Sequence, residues 1–202
     1  MFIDPDGRDV VVLLAPGGAN GKGHMGVLIG NDKTGWTYMS KDGTTWWGSK
    51  EIIGPSVFTK PDQKFATLEE FQKSNYILRE KPLGNGQPYT QAIHFKTDTK
   101  QDEKAMAAME RAGKSYYGLL SNNCTDAVSN AVGAAGLNPG WSVYAPVYND
   151  HKYHQVDDKS PVPIDRFKKM SENNNAPIIP FRPIEQQNKN KEQGVGKGLI
   201  DP

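Results

Sequence analysis

Along the first hundred residues, apolar positions fall into short runs broken by Gly, Pro, Asn and Asp. Arg8 to Ala15 (RDVVVLLA) is β-branched and apolar enough for a buried strand, and Pro16-Gly17-Gly18 ends it. A second strand covers roughly 24 to 30, the stretch Asn31-Asp32-Lys33-Thr34-Gly35 turns the chain, and Trp36 to Ser40 alternates as its hairpin partner. Lys41-Asp42-Gly43 reads as the next turn. Between 44 and 90 periodicity is weak, with a short helix expected at 67 to 74 behind a Thr67 cap. Gln91 to Thr97 alternates again, with Ala92, His94 and Lys96 on one face and Ile93 and Phe95 on the other.

The period then changes. Asp98 or Thr99 caps a helix through about Ala112, where Ala105, Met106, Ala108, Met109 and Ala112 form an apolar stripe and Gly113 follows as the stop. A further helix starts behind Ser121-Asn122-Asn123, buries Ala127, Val128, Ala131, Val132 and Ala135, and ends at Gly136. Beyond Trp141 the chain is rich in Pro, Asn, Lys and Gln, and from about 185 it reads as a solvated tail. The pattern predicts an α+β domain over 10–150 and a partly irregular extension over 151–202.

Charge narrows the function. With 24 basic and 23 acidic residues interspersed, the chain has no electrostatic footprint for a nucleic-acid backbone, and none is expected as a partner. No apolar run is long enough to cross a bilayer. The single cysteine, Cys124, excludes an internal disulfide and a multi-cysteine zinc site, leaving burial or reactivity. It falls in the first turn of a helix, where unpaired N–H groups and the positive end of the dipole favour a thiolate and an oxyanion. A nucleophile there needs a proton acceptor. His24 opens an apolar strand between Gly23 and Gly26, which clear side chains from around it as a close approach of backbone or substrate requires. His94 is the competing imidazole. His151 and His154 have ligand-like spacing without carboxylate or cysteine partners nearby, so they are read as loop residues and no metal or other cofactor is expected.

Taken together, "GHMGVLIG", "GWTYMS" and "YYGLLSNNCTDAVSNAVGAAG" resemble the circularly permuted branch of the NlpC-type papain-like cysteine hydrolases, in which the histidine strand precedes the cysteine helix. The resemblance spans about residues 10 to 137. It implies an antiparallel sheet with the cysteine-bearing helix packed against it, Cys124 as nucleophile and His24 as base. Such sites add a polar residue on the strand after the histidine strand to orient the imidazole. Here that position falls on Ser40 first and Tyr38 second, on one face of the hairpin, with Asp42 just beyond. Asn123 before the thiol, and Tyr117 or Tyr116 seven or eight residues before it, are the candidates beside the oxyanion.

"FIDPDGRD" at 2 to 9 resembles the end of the core of Rhs repeat proteins, where an Asp-Pro-x-Gly motif marks the junction with a C-terminal toxin. That resemblance implies residues 1–9 as a junction remnant and a monomeric toxin tip, carried by an Rhs protein through a type VI secretion apparatus into a target cell and countered by a cognate immunity protein. The expected activity is hydrolysis of an amide bond in a host protein or a peptidoglycan peptide. Acyl transfer or lipid-ester cleavage on the same fold, with Trp46, Trp47 and Phe58 lining an apolar groove, is one alternative. A metal-dependent nuclease and a catalytically silent binding module are others.

Overall fold

The computed structural model describes residues 8–44, 53–80, 86–140 and 160–184, together with the backbone of four short strands between 142 and 158. In chain order the strands are β1 (Arg8–Ala15), β2 (His24–Asn31), β3 (Gly35–Gly43), β4 (Ile53–Gly54), β5 (Ser56–Thr59), β6 (Gln91–Thr97), β7 (Tyr117–Gly118), β8 (Ser142–Val143), β9 (Val147–Asn149), β10 (Lys152–His154), β11 (Asp157–Asp158) and β12 (Ile178–Pro180). The helices are α1 (Gly18–Gly21), α2 (Leu68–Gln72), α3 (Asn75–Leu78), α4 (Thr99–Gly113), α5 (Cys124–Ala134) and α6 (Pro163–Asn173). The fold is mixed α+β. A six-stranded sheet runs in the order β12-β6-β1-β2-β3-β5, every neighbour antiparallel.

The unbroken apolar run of β1 follows from its central place, since a strand covered on both faces has no polar side to alternate. Val10, Val12 and Leu14 enter a core shared with α4, α5 and α6. Val11, Leu13 and Ala15 enter a second core with Trp36, Tyr38, Phe71, Ile77 and Tyr89. Each fully buried large aliphatic of this kind stabilises by about 1.5–3 kcal/mol. In β2, Met25, Val27 and Ile29 take the helical face and Leu28 the other. The β2–β3 turn is held by Asn31, whose Oδ1 accepts from the N–H groups of Lys33 at 2.9 Å and Thr34 at 2.8 Å.

Local chemistry sets the helices. Asp98 and Gln101 form a reciprocal capping box on α4, and Asn123 and Asp126 do the same on α5. Thr67 caps α2, accepting from the Glu70 N–H. The helical stripe of α4 is buried as its spacing predicts, although Gly113 lies inside the helix, where a Cβ would meet the Phe58 ring at 2.1 Å.

Two expectations are corrected. Lys41-Asp42-Gly43 is no turn: β3 continues through Gly43, pairing Asp42 with Val57 and Gly43 with Ser56. The polar residues extend the strand because Lys41 and Asp42 are both engaged by side-chain partners in the interior. The stretch read as an irregular extension contributes α6, whose Phe167 and Met170 are fully buried, and β12, which pairs with β6. Residues 160–184 therefore belong to the body of the domain. The stretch 1–7, Trp46, Trp47 and the tail from 185 lie outside the described residues.

Candidate active site

Cys124 is the first residue of α5. The Asn123 side chain takes the N–H groups of Thr125 and Asp126 at 2.8 and 3.1 Å, a cap that does not involve the N–H of Cys124 itself. The β2–β3 ladder ends at Gly26 opposite Ser40, and at the next residue the Met25 N–H donates to the Cys124 sulfur. The thiol thus meets β2 at the residue after His24 in the chain, while the imidazole packs against Tyr89 of the second core, ring centres 6.0 Å apart. Cys124 is 3% exposed, and burial pushes its thiol up, with Asp42 adding to the rise and the Met25 N–H and Arg79 opposing it. Burial thus works against the thiolate that a helix terminus favours.

His24 is equally enclosed. Its Nε2 lies 2.8 Å from Ser40 Oγ and its Nδ1 3.5 Å from Asp42 Oδ1. The Ser40 hydroxyl donates to Asp42 Oδ2 at 3.1 Å. Ser40 Oγ thus bridges the imidazole and the carboxylate, and both ring nitrogens face this pair of side chains. Burial pushes the ring down to about 3, with the Arg79 charge adding and Asp42 opposing. The resting site therefore holds a neutral thiol and a neutral imidazole.

Arg79 stands behind this group. It is 2% exposed and donates from Nη2 to Asp42 Oδ1 at 2.7 Å, with its guanidinium carbon 5.5 Å from the centre of the Tyr89 ring. Its Nε and Nη1 meet no acceptor among the described residues. Tyr89 in turn fills the space that Gly26 leaves, since a Cβ there would lie 2.5 Å from the Tyr89 hydroxyl. Gly23 is closed off by Pro163 and Ile164. The two glycines flanking His24 admit protein side chains, which corrects the expectation that a backbone or a substrate approaches there.

Lys41, on the opposite face of β3, is fully buried, and its Nζ donates to the carbonyls of Ala112 and Tyr116, to Ser115 Oγ and to Asn122 Oδ1, at 2.7 to 3.0 Å. It fastens the chain that leads into Cys124. Burial pushes it down to about 8, against the opposing charges of Asp126 and Cys124.

Among the residues expected from sequence, Ser40 touches the His24 ring, whereas the Tyr38 hydroxyl bonds to that of Tyr89 at 2.9 Å. The Asn123 amide is spent on the cap and on the carbonyls of Leu119 and Pro161, so its side chain is structural instead of facing an oxyanion. Tyr117 is buried against Gly43 and within electrostatic reach of Cys124, while the Tyr116 side chain is 57% exposed and only its carbonyl is used. His94 is bonded to Asp9 at 2.6 Å on the far side of β1. Only the backbone of His154 is described, and His151 lies outside the described residues. Among the described residues, no three His, Cys, Asp or Glu side chains group as metal ligands would. A cavity of about 480 Å³ lies at the β6–β12 edge, lined by Thr90, Gln91, Ile178, Ile179, Pro180 and Arg182, away from the thiol.

Sequence reading missed Arg79 and Tyr89. Each is a lone polar-capable residue in a stretch without periodicity, and the one available signal was Gly26, a gap in an apolar strand that something large had to fill. In comparisons with known proteins, the chain matches no protein-family model, no curated protein and no solved structure.

Proposed function

We propose that this chain is a cysteine hydrolase of amide bonds on a permuted NlpC-type papain-like fold, acting as the tip of a secreted antibacterial toxin. The observation that carries the chemistry is the line His24, Ser40, Asp42, in which the serine hydroxyl bridges imidazole and carboxylate at the end of β2, one residue along the chain from Met25. In this reading Cys124 passes its proton to the His24 ring, and Asp42, with Oδ1 3.5 Å from Nδ1, stabilises the new imidazolium. The sulfur forms a bond to the substrate carbonyl carbon, and the N–H of Cys124 at the start of α5 faces the developing oxyanion. Imidazolium returns the proton to the departing amine, and water then releases the acyl group from sulfur.

Host protein and peptidoglycan peptide both fit this chemistry, and the "FIDPDGRD" resemblance supports the toxin setting, with an Rhs carrier, delivery into a target cell and a cognate immunity protein. Among the described residues no helix is long and apolar enough to cross a membrane. The test is growth of bacteria expressing the chain in the cytoplasm or, separately, in the periplasm, wild type beside Cys124→Ala. Toxicity that disappears with the sulfur is the expected result, and the compartment in which it occurs separates cytosolic from cell-wall substrates. Undiminished killing by Cys124→Ala would sink the reading.

A further inference from the structure

We propose that residues 160–164 are a strap across the starts of β2 and α5, and that the Cys124 thiol is reached from solvent only after this strap has lifted. The inference rests on the hydrolase reading for what enters, and adds what must move first.

A nucleophile and its base must be reached, yet Cys124 is 3% exposed and His24 5%. The segment leading into α6 touches the neighbours of both. The Pro161 carbonyl accepts from the Asn123 amide at 3.3 Å and from the Thr125 hydroxyl at 3.5 Å, the residues before and after the thiol. The Ile164 N–H donates to the Lys22 carbonyl at 3.4 Å, and Ile164 and Pro163 stand 2.9 and 3.2 Å from where a Cβ on Gly23, the residue before His24, would lie. One short stretch thus spans the start of β2 and the start of α5. It is tied more tightly to itself than to either. The Ser160 carbonyl accepts from Arg166 Nη2 at 2.7 Å, and the Ser160 hydroxyl takes the Val162 N–H and donates to Asp165 Oδ2, both at 3.2 Å. The three bonds that hold it down, at 3.3 to 3.5 Å, are longer than is usual for such groups. Prolines 161 and 163 stiffen the piece and leave it no N–H at either position for further fastening. It lifts as a unit, and its hinge is the buried Arg166, which also donates from Nη1 to Ser129 Oγ on α5 at 3.0 Å.

Because Cys124 is the one cysteine of the chain, alkylation by iodoacetamide reads this thiol alone. The sulfur bonds to the CH2 carbon, iodide leaves and the thiol proton goes to solvent, so no substrate is turned over. The rate is measured for the full native chain at rising urea below its unfolding transition, and for the unfolded chain at the same pH. A strap that lifts by itself is expected to hold the native rate about a hundredfold below the unfolded one, the scale of three hydrogen bonds. That rate is expected to be nearly flat in urea, because local opening exposes little surface. Ile164→Ala, which loosens the strap at Gly23, is expected to raise it about tenfold, while Val11→Ala in the second core leaves it unchanged. A native rate that climbs with urea in step with global unfolding, or is undetectable before it, overturns the proposal, because the thiol then opens only with the whole fold. A native rate equal to the unfolded one overturns it too, since nothing then closes over the sulfur. So does an equal response to the two substitutions. A toxic Cys124→Ala variant removes the hydrolase reading and leaves these rates where they are, whereas the urea profile decides the strap alone.

Discussion

Two histidines sit beside two aspartates in this molecule, and their surroundings give them opposite characters. His94 bonds Asp9 directly at 2.6 Å, with Lys96 at 2.9 Å on the same oxygen, and its side chain is 32% exposed. His24 meets Asp42 through an intervening serine, with a buried arginine behind the carboxylate and both ring nitrogens enclosed. At the β1–β6 edge, burial works to raise Asp9, but the hydrogen bonds and charges of His94 and Lys96 prevail and hold it below the usual carboxylate range. At the β2–β3 mouth, burial prevails and the imidazole is kept uncharged. An imidazole enclosed and held neutral can accept a proton in a reaction, whereas His94 serves as a hydrogen-bond partner of Asp9.

The widest separation between the two comes from removing each ring. His24→Asn is expected to reduce toxicity about 100-fold or more, the usual scale of a lost general base, and His94→Asn to leave it unchanged. Equal losses from both, measured as survival on expression, would erase the distinction. Acid stability sharpens it next. His24 has a folded value near 3 against an ordinary 6.5, so between these limits the unfolded chain binds the extra proton and stability falls as pH falls. Each pH unit in that window is worth about 1.4 kcal/mol. Asp9, lowered in the fold, contributes stability that is lost only below its ordinary 3.8. Urea titrations from pH 7 to 4 should therefore show an acid slope in wild type that flattens in His24→Asn and persists in Asp9→Asn.

Ser40→Ala probes the orientation of the ring. It removes the bonds to His24 and Asp42 together, at about 1 kcal/mol each, and predicts a fall in toxicity of roughly tenfold or more with a lowered melting temperature. A fall as large as that of His24→Asn would show that the serine does more than orient the ring. The smallest effect belongs to Asp9→Asn at neutral pH, at about 1 kcal/mol of stability and none of toxicity, because one partner of its pair is solvent-screened.

How much of this was legible in the sequence follows from the range of the signals. Strands β1, β2 and β6 and helices α4 and α5 announce themselves through local period and caps, and the hairpin register that puts Ser40 near His24 follows from the Asn31 turn. Lys41 and Asp42 misled because polar residues before a glycine read as a turn, and only their partners, 37 to 81 positions away, explain their place in a strand. Arg79 was invisible for the same reason. Helix α6 was hidden by composition: its apolar stripe is short, and it lies between stretches that look solvated. The thiol's raised value was missed because a helix terminus can be recognised in sequence and the depth at which it lies cannot.

The late position of α6 and β12 has a consequence for assembly. Phe167 and Met170 close a core whose other walls are complete by residue 135, and β12 supplies the last rung of the sheet. A polypeptide ending at residue 159 leaves that core open along one side, and dilute protease is expected to digest it while sparing the full chain. Closure of the core thus waits on residues 163 to 180, which come after every other wall in chain order.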